Sequence, residues 1–110
     1  MESHFWLHLL HVFIIGGLLL YIGIKKTSIP TFLYNPLIIF GIFIILYHSY
    51  KIYKKITKNI NPWINWIHVL IIAPLLIYIG INKEKTNKLY FEIILMIAFA
   101  TIGYHGYYLL

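Results

Sequence analysis

The side chains best suited to chemistry in this 110-residue chain are its six histidines: His4, His8, His11, His48, His68 and His105. A neutral imidazole can ligate iron, zinc or copper, pass a proton, or make a hydrogen bond. Most other machinery is missing. The absence of Cys removes disulfides, iron–sulfur ligands and thiol redox chemistry. There is no Asp, and Glu2, Glu84 and Glu92 lie far apart in the chain. Neither a carboxylate pair nor a Ser-His-Asp set can be assembled from them. No glycine-rich phosphate loop is present, and no Lys falls in the middle of an apolar run, where a Schiff base would need it.

The elements that must position these imidazoles are apolar. The chain is 61% hydrophobic and 11% charged, whereas a soluble domain carries about 25% charged residues. A globule this small leaves much of its surface in contact with solvent, so the composition points to a membrane. Four apolar stretches, at about 5–24, 36–53, 62–81 and 89–110, have the length a helix needs to cross ~30 Å of hydrocarbon. Lys, Asn, Ser and Pro punctuate the intervals between them. The runs are apolar on every face, which argues against the alternating strands of a barrel. Residues 1–4 lack a basic n-region, so the first span reads as a retained helix and not as a cleavable signal.

The two halves match at a constant offset of 57 positions. Trp6, His11, Val12, Tyr21 and Gly23 fall on Trp63, His68, Val69, Tyr78 and Gly80. Tyr47, His48 and Tyr50 fall on Tyr104, His105 and Tyr107. Shared hydrophobicity does not account for matched Trp, His, Tyr and Gly, so the pattern predicts a tandem duplication. Each copy has an even number of spans. The copies therefore enter the bilayer the same way up, related by a pseudo-two-fold along the membrane normal.

Depth singles out His11, His48, His68 and His105. His11 lies about 7.5 Å past Trp6 at 1.5 Å per residue, and His48 lies a similar distance before Tyr53, so the four imidazoles are expected in one stratum. His4, His8 and His11 follow i, i+4, i+7 on one face, and Asn61, Asn65 and His68 repeat that stripe. Gly41 and Ala98 precede His48 and His105 by seven, which places small residues on the same faces, where helices can approach closely.

Three roles compete for the histidine layer. The imidazoles could bond helices together, since polar groups in lipid need partners. They could bind haem or a zinc or copper ion, with Tyr50 and Tyr107 as supporting donors. They could also form a proton or small-ion path. The remaining tyrosines and tryptophans read as interfacial belts. Pro74, which stands where the first span has Gly17, predicts a kink because the Leu70 carbonyl loses its donor. All nine basic residues are Lys lying outside the apolar runs or at their ends, in keeping with headgroup contact and not with nucleic acid. Their near-even split between the two sides sets no orientation.

The expectation is an all-α polytopic membrane four-helix bundle made of two tandem hairpins, residues 1–57 and 58–110, with both termini on one side. Its expected role is that of a non-enzymatic structural or membrane-complex subunit. The alternatives are haem or transition-metal binding through His11, His48, His68 and His105, or an ion channel or transporter. Expected partners are lipid, further copies of the chain, or other membrane subunits.

Overall fold

The computed structural model describes residues 2–110, with side chains described from His4 onward. Helix α1 covers residues 2–25 as Glu2–Leu10, a π-helical stretch His11–Ile15, and Gly16–Lys25. Helix α2 is Tyr34–Thr57. Helix α3 covers residues 63–82 as Trp63–Ile67, a second π-helical stretch His68–Ile72, and Ala73–Asn82. Helix α4 is Lys88–Tyr107. No strand occurs among the described residues. All four helices are long and apolar enough to cross a membrane by length and composition.

The helix ends follow local chemistry. Asn87 caps α4, its side-chain oxygen accepting the Leu89 N–H at 2.9 Å, which satisfies one of the orphan donors of the first turn. After α2, Asn59 takes a left-handed conformation (φ 58°). The Ile60 N–H then reaches the Lys55 carbonyl at 2.8 Å and the Asn59 N–H reaches that of Ile56 at 3.1 Å, a Schellman closure. Helices α1 and α3 end on Lys26 and Lys83, at φ 55° and 52°, where a Cβ is sterically disfavoured.

The chain divides into two compact units, α1 with α4 and α2 with α3. In the first, a Cβ on Gly16 would lie 2.7 Å from Ile102 Cγ1, and one on Gly23 would lie 2.8 Å from Leu95 Cα. Seven residues forward on α1 thus match seven back on α4, so the helices run antiparallel in backbone contact. Leu19, Ile22, Phe91, Ile94 and Ala98 are buried in this unit. In the second unit, a Cβ on Gly41 would meet Ile77 Cγ1 at 2.6 Å, and one on Gly80 would meet the Tyr34 carbonyl at 2.7 Å. Leu37, Ile44, Ala73, Leu76 and Ile79 are buried there. Gly41 and Ala98 are both buried, as the small-residue pattern leads one to expect. Outward positions carry large apolar side chains such as Phe13, Phe43, Leu70 and Phe99, which suits a hydrocarbon solvent.

The wide turns differ from the kink expected at Pro74. In each, the helix shifts to i→i+5 bonding: the Gly16 N–H bonds to the His11 carbonyl, and the Ala73 N–H to that of His68. The turn in α1 has no proline, so proline is not the common cause. Pro74 lies at the start of Ala73–Asn82, just past the wide turn.

The glycine contacts predict a contrast. Gly23→Ala or Gly80→Ala places a methyl against opposing backbone and is expected to destabilise by on the order of 1–3 kcal/mol. Gly17→Ala and Gly103→Ala, with nothing within 4 Å of the added carbon, are expected to be neutral or slightly stabilising. Thermal unfolding of the four variants in one detergent checks this. Equal behaviour of the two classes would contradict the close approach.

Candidate functional site

The polar side chains lie on the stripe that contains His8 and His11 in α1, and Asn65 and His68 in α3. His11 Nδ1–H donates to the Leu7 carbonyl at 2.8 Å, and His68 Nδ1–H to the Ile64 carbonyl at 2.7 Å. A side chain that takes the carbonyl one turn back competes with the backbone ladder. The two π stretches begin at the two histidines that make this bond.

In the α1–α4 unit, His8 Nδ1 and His105 Nδ1 lie 2.7 Å apart. One of them donates its proton to the lone pair of the other. The His11 ring packs on His105 with centroids 4.3 Å apart, and Tyr108 stacks on His8 at 5.3 Å. His105 is 7% exposed, so little solvent competes for this bond.

In the α2–α3 unit, Lys55 Nζ donates to Asn65 Oδ1 at 2.6 Å. Asn65 Nδ2 in turn donates to His48 Nδ1 at 2.7 Å. An ammonium can only donate, so it fixes the amide orientation and makes His48 Nδ1 the acceptor. His48 stacks on His68 with centroids 4.1 Å apart and planes 16° apart. Asn65, at 3% exposed, has both ends of its amide engaged.

The structure therefore brings His11 to His105 in one unit and His48 to His68 in the other. Tyr50 is 57% exposed and Tyr107 70% exposed; both lie on outward faces, Tyr50 beneath the Lys54 ammonium at 5.6 Å. His105 and His48 are bonded to His8 and Asn65, while His11 and His68 are bonded to the Leu7 and Ile64 carbonyls. The signal for His8 and Asn65 in the sequence was the i, i+4, i+7 stripe. Lys55 had no such signal, since a lysine at the end of a span ordinarily extends to the headgroups.

An imidazole lone pair lies in the ring plane, and the His48 and His68 planes are 16° apart, so their lone pairs lie in nearly parallel planes; the His11 and His105 planes are tilted by 31°. No group of three His, Cys, Asp or Glu among the described residues is placed to hold a metal ion. Searched against protein-family models, curated proteins and solved structures, the chain matches none.

The two clusters predict an exchange experiment. His8→Asn installs at position 8 the residue that contacts His48 in the other unit, and is expected to keep near-native stability. His8→Leu and Asn65→Leu are expected to lose roughly 1–2 kcal/mol, with Asn65→Leu the worse because it abandons both Lys55 and His48. Unfolding midpoints at fixed pH and detergent report the result. If His8→Asn is as damaging as His8→Leu, the side-chain bond is not what matters at that position.

Proposed function

We propose that this chain is a non-enzymatic, multi-pass membrane subunit built as a tandem duplication, in which the polar clusters lock helix register inside the bilayer. The observation that carries the reading is recurrence. The 2.7 Å bonds His8–His105 and Asn65–His48 join residues displaced by 57 positions on each side. The same displacement relates the His11 and His68 tethers, the two π stretches, and the positive-φ lysines 26 and 83. General hydrophobicity accounts for none of these coincidences. Two spans per copy give both copies the same sense in the membrane and put both termini on one side.

A lock is needed because lipid tails are as apolar as the helices, which leaves no hydrophobic drive to choose one helix register over another. Sliding by one turn, about 5.4 Å, would move residues bearing a Cβ into the close contacts at Gly23 and Gly80 and would leave a buried imidazole and a buried amide without their partners. Partners in this reading are the lipid itself, further copies of the chain, or other membrane subunits.

A second reading, haem or transition-metal binding at these imidazoles, draws on one feature. His11 and His68 both donate Nδ1–H to a backbone carbonyl, the tether that fixes the Nε2 lone pair of metal-ligating histidines. Ligation would require the stacked rings to rotate apart. Chelator-free purification followed by an absorption spectrum and elemental analysis separates the readings. The lock predicts a colourless protein with well below one metal per chain, and lower stability when His11, His48, His68 and His105 are replaced together. A Soret band that disappears with His11 or His48, or near-integral metal, would overturn it.

A further inference from the structure

We propose that the end of the α2–α3 pair carrying Lys51, Lys54 and Lys58 binds the phosphate headgroups of anionic phospholipids. The inference rests on the membrane reading above and adds a lipid class to it. Lys51, Lys54, Lys55 and Lys58 fall within one arc at the C-terminal end of α2, the first three inside Tyr34–Thr57 and Lys58 at its cap. The partial charge at a helix C-terminus, about half an elementary charge, offsets little of four ammonium groups. Between residues 30 and 86 the one carboxylate is Glu84, in the turn Lys83–Lys85 beyond the far end of α3. This basic end therefore has no counter-charge of its own within the unit.

The geometry divides the four lysines. Lys55 is turned inward, its ammonium bonded to Asn65 at 2.6 Å, and belongs to the polar cluster. Lys54 and Lys58 are exposed and Lys51 is half-buried, and the Lys54 ammonium lies over the Tyr50 ring. Tyr50, Tyr53, Trp63 and Trp66 are all exposed at the same end of the unit. Such aromatics mark headgroup level in a membrane helix, which places the outward ammonium groups in the phosphate layer. A flexible ammonium is a point-charge donor to phosphate, and clusters of this kind are attracted to anionic lipid surfaces.

The test uses the full chain in nanodiscs of equimolar phosphatidylglycerol and phosphatidylcholine, reading by native mass spectrometry which lipid remains bound. The native chain is expected to enrich phosphatidylglycerol, with the preference falling as salt rises. At roughly fivefold per lysine, K51Q/K54Q/K58Q should lower that preference by at least tenfold. K83Q/K85Q, at the opposite end, should keep it. K55Q should also keep it but unfold at lower temperature, because it loses the Asn65 contact. That thermal readout reports on the register lock separately from the lipid preference. No enrichment by the native chain, enrichment that survives in the triple variant, or equal loss in K83Q/K85Q would overturn the proposal. Complete displacement of the lipid by millimolar inorganic phosphate would also overturn it, revealing a free-anion site.

Discussion

A buried polar side chain must find its partner within the protein, and this constraint shapes both helix pairs. His105 and Asn65 are nearly inaccessible, and each is bonded at 2.7 Å to a residue on the helix packed against it. Each such bond is worth about 0.6–2 kcal/mol. In the proposed reading they act with the close glycine contacts to distinguish one register from its neighbours.

Two other features serve the same end. Glycine at 23 and 80 lets opposing backbones meet at distances a Cβ would forbid, and glycine at 16 and 41 makes room for the side chains of Ile102 and Ile77. Dispersion contacts then accumulate along the seam, and the polar bonds stay short. The π stretches begin at His11 and His68, the residues whose imidazoles are tied back to their own helices. The extra residue in each turn changes the facing of everything that precedes it. Positions 8 and 65 lie on that earlier segment and meet the facing histidines there.

Much of this was legible in the amino-acid sequence, and the remainder was hidden for physical reasons. Apolar length located four helices to within a few residues: 36–53 was expected where Tyr34–Thr57 is found, and 89–110 where Lys88–Tyr107 is found. Periodicity found the stripe containing His8 and Asn65 and the small residues Gly41 and Ala98. Which helix lies against which was not legible, because spans that are apolar all round offer no unique mate. The wide turns were also hidden, since helix propensity does not mark them. Proline drew attention to position 74, although the turn in α1 forms without one. The inward course of Lys55 depends on an amide ten positions away across a turn, which neither composition nor period reveals.

The account is tested most directly by nitrogen-15 NMR of the full chain in bilayers, looking for scalar coupling transmitted through individual hydrogen bonds. The arrangement predicts one coupling between His8 Nδ1 and His105 Nδ1 and a second between Asn65 Nδ2 and His48 Nδ1. Observing both would establish the helix registers and the tautomers together. If both couplings are absent while the helices remain folded, the imidazoles are not joined as described, and the proposed basis for register in this protein fails.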